Sequence, residues 1–211
     1  MNDCKNDGKL SLDMLIGLSI FLFTFIFIAQ FLPTVFADVR SEISLANQAY
    51  RVATLLVEDP GVWYNVTGGG EDWEKYSVYE LCNKIEFRPG LAKFNSTTAY
   101  NNLDKHKMEK LIDVLEQCRG KVGESLGLNF SSIGVNTTFY FNISLRDFNS
   151  SVCEINGSSM AGGYILPQYA QKVKFERIVY MNKAECSALS NCNPTWLADR
   201  CVLRLEVVVW Q

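Results

Sequence analysis

Between Met14 and Leu32 the chain reads MLIGLSIFLFTFIFIAQFL, nineteen positions without a charge, of which only Ser19, Thr24 and Gln30 are strongly polar. As a helix at 1.5 Å per residue this run is about 28 Å long, close to the hydrocarbon thickness of a bilayer. A cleaved secretory signal has a basic leader, a shorter apolar region and small residues at its end. Here the leader MNDCKNDG is of mixed charge, and the run closes on Gln30-Phe31-Leu32-Pro33. The pattern predicts a retained membrane helix. Pro33 lacks an N–H and clashes with the preceding turn, so a break or kink is expected there. Beyond it the pattern turns amphipathic. Val39, Ile43, Ala46, Tyr50, Ala53 and Val57 recur at spacings of 4, 3, 4, 3 and 4, with Asp38, Arg40, Glu42, Gln48 and Arg51 off the stripe. Asp59-Pro60-Gly61 then stops the helix. The spacing predicts one long helix from about Leu10 to Glu58, apolar all round in its first half and needing cover for one face in its second.

Residues 61–211 predict a single α+β domain. The stretch DKHKMEKLIDVLEQCR (Asp104 to Arg119) reads as a helix that buries Met108, Leu111, Ile112 and Leu115, with Gly120 at its end. His106, among Asp104, Lys105 and Lys107, is expected in solvent. From Thr137, TTFYFNISLRD alternates, with Phe139, Phe141, Ile143 and Leu145 on one face and Asn142 and Ser144 on the other. KVKFERIVYM (Lys172 to Met181) and CVLRLEVVVW (Cys201 to Trp210) predict two further strands, with a loop from Cys186 to Cys192 between them. From Val62 to Asn102 periodicity is weak. A short element at Tyr76 to Ile85 is expected, and Gly68-Gly69-Gly70 reads as a turn. The second half of the long helix and the short helix are expected to pack on a mostly antiparallel sheet.

Cysteine and asparagine usage put this domain outside the cell. Of seven cysteines, Cys4 lies in the leader, and Cys82, Cys118, Cys153, Cys186, Cys192 and Cys201 lie in the domain. Six suffice for three disulfides in an oxidising compartment. All fifteen connectivities are open, with Cys186 and Cys192 a local pair across their loop. There is no C-x-x-C and His106 is the only histidine, so neither a metal site nor a cofactor is expected. Fourteen asparagines follow Gly8, and Ser and Thr fill 25 of 211 positions, so chance would give about two N-x-S/T sequons. There are seven, at Asn65, Asn95, Asn129, Asn136, Asn142, Asn149 and Asn156. They mark either a glycosylated surface or a by-product of Asn- and Ser-rich turns. One histidine in a charged helix does not support a catalytic triad, and Gly68-Gly69-Gly70 lacks the Lys-Ser/Thr of a phosphate loop. The net charge of −3 gives no general affinity for nucleic acid, and none is expected as a partner.

Gly8, Ser11 and Asp13, standing at this spacing before an unbroken apolar helix, resemble the N-terminus of a type IV pilin precursor. The Ser-x-acid pattern after a short charged leader most resembles the archaeal precursors. Pro33, the stretch ATLLVEDPGVW (Ala53 to Trp63) and a last strand ending in Trp210 are also similar to archaeal pilin-like proteins. The resemblance implies that a prepilin peptidase cuts after Gly8, so that residues 1–8 leave as the leader, Cys4 with them, and Lys9 becomes the N-terminus. It implies that the long helix over residues 9–60 stays, with its half at about 10–32 as membrane and assembly element and Pro33 as helix breaker. Asp13 becomes the acidic residue at the fifth mature position, where Glu is commoner, and Lys9 stands where many relatives have Gln.

A charge costs about 2.5–3.5 kcal/mol at mid-bilayer and less near the interface. Asp13 lies near the end of the run, so two roles are open. It reaches lipid headgroups, or it pairs with the new amine of Lys9, one helical turn away, on its own or a neighbouring chain in a dry helix bundle. The function implied is a structural subunit, major or minor, of an archaeal type IV pilus-like surface filament in adhesion. It joins identical or related pilin subunits through the N-terminal helix, is membrane-inserted before assembly with the head extracellular, and is not an enzyme. The alternative is a membrane-anchored extracellular binding module that uses the pilin export route without polymerising.

Overall fold

The computed structural model describes residues 7–93, 101–132 and 135–211, and the chain divides into two units, one ending at Ile43 and one spanning Ser44–Gln211. Helix α1 spans Asp7–Glu58 with Pro33 inside it. The helix thus runs on past Pro33, as the single long helix expected from the sequence requires. The loss the proline causes is confined to one backbone bond and one crowded carbonyl, and the turns on either side carry the helix past it.

In the second unit α1 is followed by β1 (Gly61–Asn65), β2 (Gly68–Gly70), a 3-10 turn (Trp73–Lys75), α2 (Val78–Asn83), β3 (Glu86–Pro89) and α3 (Lys105–Ser125). Next come β4 (Asn129–Ser132), β5 (Val135–Thr138), β6 (Tyr140–Arg146), β7 (Glu154–Ile155), β8 (Ser158–Ser159) and β9 (Ala161–Gly163). The chain closes with β10 (Lys172–Asn182), α4 (Lys183–Cys186), β11 (Leu189–Ser190), β12 (Thr195–Trp196) and β13 (Arg200–Trp210). The main sheet runs β10-β13-β6-β9, with β12 also on β13, and its ladders are antiparallel. Smaller sheets are β2-β1-β3, β11-β7-β8 and β4-β5. The unit is α+β, as the sequence predicts.

The main sheet turns Phe141, Ile143, Leu145, Leu203, Leu205, Val207 and Val209 inward, all fully buried, in one core with α1 and with Met108, Leu111, Ile112 and Leu115 of α3. The face that α1 buries differs from the expected stripe. Leu45, Ala49, Val52, Ala53, Leu56 and Val57 are buried, whereas Val39, Ile43 and Tyr50 are about half exposed. The two stripes lie side by side and share Ala53 and Val57. The large aliphatics Leu45, Val52 and Leu56 decide the contest, since burying each contributes about 1.5–3 kcal/mol. Tyr50 instead sets its ring edge-on to Phe175 at the margin, 5.2 Å between centroids.

Where α1 stops, the chain turns through Asp59-Pro60-Gly61. Gly61 has φ +77°, and a Cβ there would sit 2.5 Å from the Gly90 nitrogen and from Trp73 Nε1, so the corner requires glycine. Trp73 is fully buried, and its Nε1 donates to the carbonyls of Pro60 (3.2 Å) and Gly90 (3.1 Å). Lys107, also buried, donates from Nζ to the carbonyls of Pro60 (2.6 Å), Glu71 (3.1 Å) and Ala92 (3.3 Å). Burial pushes its pKa below the ordinary lysine value, and the carboxylates of Glu74, Asp104, Glu71 and Asp59 work against that shift.

Three further expectations are corrected. Gly120 does not end the short helix. After non-helical dihedrals at Cys118 the helix continues to Ser125, because Val122 and Leu126 extend its buried stripe. Gly68-Gly69-Gly70 is a strand rather than a turn, paired with β1. A Cβ on Gly70 would meet Trp63 Nε1 at 2.9 Å, where that indole donates to Asp72 (2.8 Å). Cys186 pairs with Cys201 rather than Cys192, which pairs with Cys153; the third bond is Cys82–Cys118. Cys201 opens β13 directly opposite Met181 of β10, five residues before Cys186, so the sheet register brings these two cysteines together. Asp147 holds the other loop, accepting from the backbone N–H groups of Ser151 (2.8 Å) and Asn193 (2.9 Å).

Peptide mapping of the unreduced native protein is expected to yield the linkages Cys82–Cys118, Cys153–Cys192 and Cys186–Cys201. A Cys186–Cys192 peptide would contradict this register. Lys107→Met is expected to lower stability by about 1–3 kcal/mol in denaturant unfolding, because the Glu71 and Ala92 carbonyls lose the ammonium as donor and that of Pro60 is left with Trp73 alone. A variant as stable as wild type would show that water replaces the ammonium without cost.

Candidate functional site

The feature that sets this chain apart is the stretch Leu12–Phe36 of α1, with a mean hydropathy of 2.4 and no residue buried. Its 25 residues make a helix of about 37 Å, long enough to cross a bilayer. Its hydroxyl groups are answered within the helix. Ser19 Oγ donates to the Leu15 carbonyl (2.8 Å), Thr24 Oγ1 to those of Ile20 (3.0 Å) and Phe21 (2.9 Å), and Thr34 Oγ1 to Gln30 (3.4 Å). Apart from Asp13 and Gln30, what remains facing outward is hydrocarbon, including stacked pairs Phe21–Phe25 and Phe27–Phe31. An apolar surface of this extent calls for lipid or for other helices. Its length and position near the N-terminus fit membrane insertion or export.

Asp13 stands exposed at the start of this stretch, one helical turn from Lys9 along α1. The side chains of Gly8 and Lys9 lie outside the described residues, as do Cys4 and the rest of the leader through Asn6. Among the sequons, Asn65, Asn149 and Asn156 are exposed. Asn65 Oδ1 accepts both the backbone N–H (2.8 Å) and the hydroxyl (2.7 Å) of Thr67, so the two ends of that sequon are folded together. Asn156 Nδ2 donates to Glu109 (2.6 Å). Asn142 and Asn129 are half-buried. Asn142 sits mid-sheet, with Val208 on one side and Gly163 on the other, and donates to the Tyr164 carbonyl (3.1 Å). Asn95 and the side chain of Asn136 lie outside the described residues.

A groove of the head, about 560 Å³, runs past Glu74, Asp104, His106, Glu109 and Lys110. His106 is mostly exposed, with Nδ1 3.5 Å from Glu109, whose carboxylate also meets Asn156 and lies 3.9 Å from Lys105. Glu109 is thus answered by His106, Lys105 and Asn156, whereas Glu74 Oε2 is buried without a hydrogen-bond partner. Among the described residues, no group of three or more His, Cys, Asp or Glu side chains is placed to hold a metal ion. The role of Lys107 went unread in the sequence, although a signal was there: Lys107, Leu111 and Leu115 are spaced by fours, which puts the lysine on the buried stripe.

Residues 5–63 match a family of unknown function, DUF7287. This segment covers α1 and the first residues of β1. A protein of Archaeoglobus fulgidus, described as uncharacterized, is 46% identical over 209 residues, covering 97% of this chain and 98% of that protein. No solved structure matches the chain. Identity of this degree along nearly the whole of both sequences shows common descent, and the chain belongs to the same protein family as this Archaeoglobus protein.

Proposed function

We propose that the protein is a pilin-like subunit of an archaeal type IV pilus-like surface filament, cut after Gly8 and assembled through its N-terminal helix, with the disulfide-stapled head outward. The observation that carries this reading is the wholly exposed apolar helix Leu12–Phe36 with a carboxylate at its start and a compact head after it. A plain membrane anchor needs no acid there. A bundle of such helices excludes water, and in it Asp13 requires a positive partner, which the amine freed at Lys9 supplies. The archaeal source of the near full-length relative agrees with this assignment. Adhesion follows as the role of a head displayed in many copies on a filament. Glycans on exposed sequons would protect that head.

Asp13→Asn separates filament subunit from anchor. The variant is expected to be membrane-inserted, folded and cut before Lys9, yet reduced to background in purified filaments. N-terminal sequencing of the same membrane sample checks the cut. Wild-type incorporation of the variant would favour headgroup contact by Asp13, whereas absence of the wild-type protein itself from purified filaments would favour the anchored binding module.

Glycopeptide mass spectrometry of the native protein is expected to find Asn65 and Asn149 modified and Asn142 bare, because Asn142 is held within the sheet by the Tyr164 carbonyl. The opposite pattern would contradict this ordering of the sequons.

A further inference from the structure

Between β9 and β10 the chain reads Tyr164-Ile165-Leu166-Pro167-Gln168-Tyr169. Ile165 is 92% exposed, Tyr169 91% and Leu166 40%. Three large apolar side chains in five positions, turned to solvent, are a costly choice for a soluble surface. The base of the loop is fastened on several sides. The Tyr164 N–H donates to the Phe141 carbonyl (2.8 Å), its own carbonyl accepts from Asn142, and Lys172 Nζ donates to the Pro167 carbonyl (3.3 Å). The Tyr164 ring meets Tyr140 edge-on, 5.0 Å between centroids, and lies 5.4 Å from the Arg119 guanidinium. Tyr140 in turn stacks on Trp210. The exposed residues are therefore presented from a built platform.

The place of this platform in the head is set by register. Lys172, Trp210 and Tyr140 lie side by side at one end of the main sheet. Along β10, Phe175 meets Tyr50, while Arg177 Nη2 donates to Thr54 (2.6 Å) and Glu58 (3.1 Å). The head part of α1 and β10 thus run in the same direction. The Lys172 end is the end at which the chain enters the head at Ser44, eight positions after Phe36 closes the apolar stretch. Trp196 and Leu197, each half exposed, sit by Cys201, at the other end of β13. Nine positions of strand from Trp210 to Cys201 correspond to about 30 Å.

We propose that the loop Tyr164–Tyr169 is an interfacial foot, by which the head rests on the bilayer that holds its own apolar helix. Ile165 and Leu166 enter the boundary between headgroups and acyl chains. Tyr169 and Tyr140 lie at headgroup level, where aromatic rings with a polar tip are favoured. Lys172 and Arg119, beside the loop, face anionic headgroups. Chain connectivity favours lipid as the occupant: the end of the head that carries the loop is the end tethered to the membrane-length helix. The inference rests on that helix lying in a bilayer and is independent of whether the chain polymerises.

The test uses the full chain in vesicles of phosphatidylcholine and phosphatidylglycerol. A photo-reactive benzophenone side chain is placed at Ile165 or Tyr169, and at Leu197 for comparison. Irradiation is expected to give several-fold more lipid adduct at Ile165 and Tyr169 than at Leu197, with the three disulfides intact on unreduced gels. Adducts chiefly to a second copy of the chain would make the loop a subunit contact and overturn the proposal. Equal lipid labelling at Leu197, or no labelling above it, would overturn it too. If the chain fails to float with the vesicles, the membrane reading itself falls, a failure visible before any irradiation.

Discussion

The head is organised by the need to cover one helical stripe. Leu45, Ala49, Val52, Ala53, Leu56 and Val57 form a surface that cannot stay in water, and the main sheet and α3 share a single core with it. An antiparallel sheet with one apolar face and a helix with one apolar stripe satisfy each other in this way without further devices. The opposite face of the sheet is handled by charge. Glu176 and Glu206 stand directly across from one another, an unfavourable pairing on its own. Lys174 bridges them, Arg204 reaches Glu176 and Arg146 reaches Glu206, so the row alternates in sign.

The corner at Pro60 completes the cover. Its carbonyl accepts from both Trp73 and Lys107, so one oxygen links the end of α1, the 3-10 turn and the start of α3. A buried lysine here is a hydrogen-bond donor first. It satisfies backbone carbonyls that an irregular turn leaves without sheet or helix partners. The disulfides then tie α2 to α3, and the loops around β7, β11 and α4 to one another and to β13.

Much of this was legible in the sequence, and what was not has physical reasons. The apolar helix, the strands β6, β10 and β13 and the inward set Phe139, Phe141, Ile143 and Leu145 follow from periodicity, because each is long or alternates cleanly. The face of α1 was misjudged because two apolar stripes adjoin, and spacing alone does not weigh Leu45 against Ala46. The glycine run was misread because its pairing with β1 sets Gly69 against Tyr64 and Gly70 against the Trp63 indole, contacts that no local pattern encodes. The disulfide register depended on β10–β13 pairing, a long-range fact. For the apolar segment, the residue types were readable at Asp13 and along Leu12–Phe36. The exposed loop at Ile165 was passed over, since solvent exposure is decided by the rest of the fold.

The position of β13 has a consequence for how such a chain is made. It is the central strand of its sheet, between β10 and β6, yet in chain order it comes after every other strand there. A polypeptide synthesised from its N-terminus exposes the apolar helix early, while β6 and β10 still lack the strand that joins them. Until β13 emerges the head cannot close its ladder, and Cys186 has no Cys201 to meet. The topology thus delays closure of the ladder and formation of the Cys186–Cys201 bond until the last strand has been made, well after the apolar helix has emerged.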